Sequence, residues 1–167
     1  MGLYGSRDAR NLGNLGTNHL TFEWCLDPAL IRRIMTHPKL YSWLTDDTAG
    51  PVSGFTPPMD FSYVLVKRGD DILGLFAIHP RSSVCWEIHT ALLPHCWGPL
   101  ATRAYREGLA WLRATTPCRK VIGNIRASNR LALRIAERAG LQRIGLNTKC
   151  VMKDGILQDQ VILGMEL

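Results

Sequence analysis

The residues best placed to move a proton lie in "CWEIHTALLP", residues 85–94, where Glu87 and His89 stand two apart. In an extended strand this spacing puts Cys85, Glu87, His89 and Ala91 on one face. Trp86, Ile88, Thr90 and Leu92 fall on the other. A carboxylate beside an imidazole is a proton-accepting pair, and either group could serve as general base with the other next to it. The same two side chains could also satisfy one another on an inner sheet face. Spacing alone leaves both readings open.

A second stretch, "ASNRLALRIAERAGLQRIG" at residues 127–145, is patterned as a capped helix running into a strand. Ser128 suits the N-cap, Asn129 lies one residue inside it, and Gly140 suits the left-handed residue that ends the helix. Leu131, Ala132, Ile135, Ala136 and Ala139 read as one buried face. Arg130, Arg134 and Arg138 recur every four residues as a basic stripe. Upstream, "LLPHCWGPLATRAYREGLAWL" predicts a helix from Gly98 to Thr115, with Pro99 in the favoured first position. Its expected buried face is Ala101, Ala104, Tyr105, Gly108, Trp111 and Leu112, with Arg103, Arg106 and Arg113 elsewhere.

These segments need strands to hold them. "LTFEWCL" alternates as a first strand, and Asp27 with Pro28 starts a helix through "ALIRRIMTH". Pro38 interrupts that helix before "KLYSWL" adds a turn or two. "TDDTAGPVSGFTPPMD" is a loop whose prolines and glycines would hold Phe55 stiffly. Residues 61–94 hold three strand-like runs with turns at "RGDD" and "PRSS", a meander of antiparallel strands. "KVIGNIR", "LQRIGLNTKCVMKDG" and "ILQDQVILGMEL" supply further strands. The order β-α-(α)-β-β-β-α-β-α-β-β predicts an α/β fold of α+β character: a mixed, mostly antiparallel sheet flanked by helices. One parallel pair is expected, across residues 84–126. Residues 1–20 read as a flexible arm and 21–167 as one domain.

Composition narrows the function classes. Hydrophobic residues make up 46% and charged residues 20%, the balance of a globular chain. There is no apolar run long enough to span a membrane and no apolar segment at the amino terminus, so a cytoplasmic protein is expected. Five cysteines without CxxC spacing argue for reduced thiols and against a metal site or disulfide framework. The net charge of +6 is uneven: residues 98–144 carry ten Lys or Arg against two Glu. That surplus is either a solvated helix surface or a surface for an anionic partner. With no RNP motif, zinc-finger pattern or aromatic-interleaved basic strand, nucleic acid is not the expected partner.

The element order and the residue 127–145 stretch together resemble the GNAT (general-control-related N-acetyltransferase) superfamily. The resemblance runs from about Leu20 to the end and is most specific from Trp86 to Gly145. Its ribosomal-protein N-acetyltransferase branch carries N-x-x-[SA]-x-x-x-x-E-x-x-G-[FL], met here by Asn129, Ala132, Glu137, Gly140 and Leu141. The resemblance implies an N-acetyltransferase-like protein that uses acetyl-CoA between the strands of residues 84–93 and 120–126. It implies an amine-bearing acceptor, a peptide or small molecule, entering beside Phe55. Glu87, seven residues before Pro94, or His89 would take the ammonium proton. A backbone N–H near Leu92 or Leu93 would face the developing oxyanion, and Asn129 would bond the cofactor's pantetheine or a bound water.

The cofactor loop of that superfamily, [QR]-x-x-G-x-[GA] leading into a helix, works by aiming successive backbone N–H groups at a pyrophosphate. Here it reads "HCWGPL": His95 replaces Gln or Arg, Gly98 is kept, Pro99 lacks an N–H, and Leu100 replaces the last small residue before Ala101. Position 136, where relatives place a tyrosine acid, is alanine. A narrower resemblance is to a GNAT-like group encoded by tailed bacteriophages. It implies the alternative of a non-catalytic module in head assembly or the virion, with phage structural proteins as partners.

Overall fold

A computed structural model describes residues 18–167. Residues 1–17, and with them most of the expected arm, lie outside the described residues. Seven strands form one sheet in the order β1-β2-β3-β4-β5-β7-β6. They are β1 (Leu20–Trp24), β2 (Ser62–Arg68), β3 (Asp71–Pro80), β4 (Cys85–Leu92), β5 (Lys120–Arg126), β6 (Gln142–Lys153) and β7 (Ile156–Glu166). Helices α1 (Pro28–Met35), α2 (Tyr41–Leu44), α3 (Pro99–Thr115) and α4 (Arg130–Ala139) flank it. The mixed sheet matches the expected class: β1 to β4 are an antiparallel meander, and only β4 and β5 run parallel.

That parallel pair positions the site. Its register covers Cys85↔Lys120, Trp86↔Val121 and Glu87↔Ile122 only, after which the strands part. The crossover through α3 keeps the pair together at its start. Beyond Glu87 the edge of β4 that faces β5 has no strand partner. Leu93 N–H donates to Leu73 O at 2.8 Å, so Leu93 points its backbone groups toward β3. By alternation Ile88, Thr90 and Leu92 point theirs into the gap.

Two buried clusters lie on opposite faces. One, under α3 and α4, contains Phe76, Ile88, Leu92, Tyr105, Leu109, Leu112, Val121 and Leu133. The other, under α1 and α2, contains Ile31, Ile34, Tyr63, Leu65, Leu75 and Ala91. On α3 the buried residues are Ala101, Ala104, Tyr105, Gly108, Leu109 and Leu112, so Leu109 takes the place expected of Trp111. Trp111 lies at the margin, 5.4 Å from Trp24.

The α4 helix differs from its sequence pattern by about one residue at its start. Asn129, not Ser128, is the N-cap: its Oδ1 accepts from Ala132 N–H at 3.1 Å. Ser128 Oγ donates instead to Gln158 Oε1 on β7 at 2.8 Å. The buried face is Leu133, Ala136 and Ala139, while Leu131 is 43% exposed. The end is as the pattern predicts. Gly140 at φ +115° closes the helix and lets Leu141 N–H reach Ala136 O.

Candidate active site

The gap between β4 and β5 opens into a cavity of about 560 Å³. One end lies against Ile88, Leu92, Trp97, Tyr105 and the start of α4. The other reaches Trp43 and Asp46 beside α2 and Arg126 at the end of β5. His89 lines it; Glu87 does not, and sits one side chain behind.

The polar centre is built across three strands. On β5, alternation puts Ile122, Asn124 and Arg126 on the face that carries Glu87 and His89. Asn124 Nδ2 donates to Glu87 Oε1 at 2.8 Å, and His89 Nε2 stands 3.4 Å from the same oxygen. Arg81 Nε lies 3.8 Å from Oε2. The His89 imidazole, then the Asn124 amide, hold the Glu87 carboxyl down at about 2, against the opposing effect of burial. Phe61 packs on His89, with ring centroids 5.6 Å apart, and on His79 at 5.1 Å. His79, directly across β3 from Glu87, leaves its buried Nδ1 without a hydrogen-bond partner.

Of the other expected site residues, Leu92 and Asn129 line the cavity, whereas Leu93, His95, Gly98, Pro99, Leu100 and Ala101 do not. The Leu93 N–H is a correction. Its bond to Leu73 O keeps it in the sheet, and the Leu92 N–H is the one that points into the gap. The Leu92 carbonyl already accepts from Trp97 Nε1 at 2.7 Å. Phe55 is not part of the cavity lining, and Arg32 holds its loop by bonds to Phe55 O and Val52 O, both at 2.9 Å. The ring stacks edge-on to Tyr41 of α2, and α2 lends Trp43 and Leu44 to the cavity wall.

Sequence reasoning missed Asn124, Arg126 and the outward end of Tyr105. The alternation of "KVIGNIR" put Asn124 and Arg126 on one face, but nothing in it showed that this face meets Glu87. Tyr105 was expected in the core and is buried there, which pushes its phenol pKa up, yet it also borders the cavity.

The Acetyltransferase (GNAT) domain family matches residues 15–142. The chain belongs to the GNAT acetyltransferase family. Among solved structures, it superposes on a spermidine N-acetyltransferase from Vibrio cholerae, determined with CoA and spermine. The TM-score is 0.72 at 14% identity, over 88% of this chain and 95% of that one. RimJ from Mycobacterium smegmatis, in complex with CoA-disulfide, gives 0.69 at 15% identity, over 90% and 83%. At such identities the likeness shows the GNAT fold alone. No curated protein matches the sequence.

In this GNAT chain the expected cofactor loop leads into the start of α3. Gly98 is its N-cap at φ +93°, ψ −141°, a conformation that only glycine adopts without strain. A side chain there would meet nothing within 4 Å, so the space beside the loop is open. Leu100 does not fill it, since its side chain packs against the core under α3. Leu100 and Ala101 still carry first-turn N–H groups, while Pro99 carries none. His95 is exposed, with Nε2 3.3 Å from Asp71 Oδ1.

Proposed function

We propose that this protein transfers an acetyl group from acetyl-CoA to the amine of an acceptor, with His89 as general base. The observation that carries the reading is the cavity where β4 and β5 part, with His89 on its wall and the Glu87–Asn124 pair behind it. Residues that fit the cofactor are at hand. The backbone of Ile88, Thr90 and Leu92 edges the gap, Asn129 borders it, and Leu100 and Ala101 carry first-turn N–H groups at the start of α3, beside the open space at Gly98. The bound cofactor supplies an acetyl thioester.

A carboxylate held at about 2 has little affinity for a proton at neutral pH, so Glu87 is a poor base for an ammonium group. Its place beside His89 Nε2 suits it to orient the ring and to stabilise the imidazolium, leaving Nδ1 to accept the proton. The Leu92 N–H, aimed into the gap, would face the developing oxyanion. Tyr105, kept protonated by burial, borders the same cavity and would donate to the departing thiolate, the task left open by alanine at position 136.

Calorimetric titration with acetyl-CoA and with CoA tests the reading, followed by a screen of amine acceptors. Micromolar binding and acceptor-dependent release of CoA are expected, whereas no binding at millimolar cofactor would sink it. A second reading, a non-catalytic GNAT module of a bacteriophage particle, is favoured by Trp97 holding the Leu92 carbonyl and by Pro99 removing a donor.

A further inference from the structure

We infer that the acceptor is a small amine that also carries a carboxylate, and that Arg126 receives that carboxylate. The inference rests on reading the cavity as the acceptor site of acetyl transfer.

Arg126 is the charged residue buried in the described chain, 6% exposed, and it forms part of the cavity wall. One face of its guanidinium lies 4.9 Å from the Trp43 ring centroid. Nη2 donates to Ser42 O. Among the described residues the guanidinium makes no other hydrogen bond, and no carboxylate lies within 4.0 Å of it. A guanidinium has five N–H donors. A buried charge left without a counter-ion is costly, and burial accordingly draws its pKa down.

Three acids, Asp154, Asp46 and Asp47, lie near enough to act on Arg126 electrostatically, yet none forms an ion pair with it. Asp46 also lines the cavity, but its Oδ1 accepts from Thr48 N–H at 2.9 Å and Thr48 Oγ1 at 2.6 Å. Both oxygens of Asp47 accept from the tip of the β6–β7 hairpin, from Asp154 N–H and Gly155 N–H, each at 2.9 Å. These acids temper the field at Arg126 without pairing with it. Lys39 adds a second cation to the wall.

The strand pattern places the proton-accepting group and the cation on one side of the sheet. Asn124 and Arg126 share one face of β5, so they stand about 7 Å apart along the strand. Asn124 contacts Glu87, which contacts His89. His89 and Arg126 line the same cavity, so an acceptor that reaches both presents its amine to His89 and its carboxylate to Arg126. The planar guanidinium suits two-point binding of the carboxylate.

The test uses the full chain saturated with CoA, titrated calorimetrically with standard amino acids and, in parallel, their α-amides. A coupled assay follows acetyl-CoA consumption with the same pairs and with spermidine. The carboxylate member is expected to bind about ten- to a hundredfold more tightly than its amide. The amide has the less basic amine, so intrinsic reactivity cannot produce this preference. Arg126→Gln should bring the pair within about threefold of each other and leave CoA affinity unchanged, while Arg126→Lys should keep part of the preference. Equal binding of acid and amide by the wild-type protein, or preference for spermidine, overturns the inference whether or not a variant folds. The acyl-transfer reading survives that result. If the acids bind selectively but no amine consumes acetyl-CoA, acyl transfer fails while the carboxylate pocket at Arg126 stands.

Discussion

The middle of β4 and the loop beyond its end are built in different ways. At its middle, Glu87 and His89 depend on contacts from another strand: Asn124 comes from β5, and Arg81 from the turn before β4. Beyond its end, the loop of residues 95–100 depends on local backbone, namely a glycine in a conformation closed to other residues and a proline at the first helical position. The first region keeps its polar groups interlocked although the acid and its partner are 37 residues apart. The second keeps its helix start but has one donor fewer than a loop with an ordinary residue at position 99. On the proposed function, the polar centre should be the more sensitive of the two to loss of a partner, whereas an anion site made of several N–H groups should weaken by steps.

That contrast is open to breakage, beginning where the effect should be largest. His89→Ala is expected to lower kcat/KM for acetyl transfer by about 10²- to 10⁴-fold with cofactor affinity unchanged. An effect confined to KM would move the base elsewhere. Glu87→Gln should cost up to about a hundredfold in kcat by freeing the imidazole, and should change the pH profile as well as the rate. It also has a stability signature. Because the folded carboxyl lies at about 2 against an ordinary 4.5, its contribution is fully present above about pH 4.5. That contribution is lost as pH falls from there through about 2. Denaturant unfolding should thus separate wild type from Glu87→Gln at neutral pH and bring them together near pH 2.

At the other end of the strand, Pro99→Ala restores an N–H at the first position of α3. Acetyl-CoA should bind about ten- to a hundredfold more tightly by calorimetry. Unchanged affinity would show that no phosphate meets this helix start. The smallest effect is expected from Trp97→Phe, which frees the Leu92 carbonyl. Loss of that one bond should lower stability by about 1 kcal/mol in denaturant unfolding, with severalfold tighter cofactor binding.

The position of α4 shows where the sequence pattern was readable and where it was not. Gly140 ended the helix as expected because a left-handed residue after a helix is a local requirement. Its start was ambiguous, since Ser128 and Asn129 are both good caps. The choice fell to Gln158 on β7, which takes the Ser128 hydroxyl and leaves Asn129 to cap. Leu133 takes the buried side in place of Leu131 because the packing of α4 against the core under α3, and not the cap, decides which face turns inward. Leu131, at 43% exposure, instead borders the cavity.

By itself, the sequence determined the strands, the helices, the shared face of Glu87 and His89, and the glycine that starts α3. Each of these follows from the two-residue period of a strand, the 3.6-residue period of a helix, or a backbone angle only glycine tolerates. Only the tertiary structure decided which strand edge faces the gap, that Asn124 holds Glu87, and that Arg126 is buried without a carboxylate partner. These depend on the parallel register of β4 and β5 and its early end after Glu87↔Ile122. That register depends on how the α3 crossover packs over one face of the sheet, over distances that no local pattern encodes.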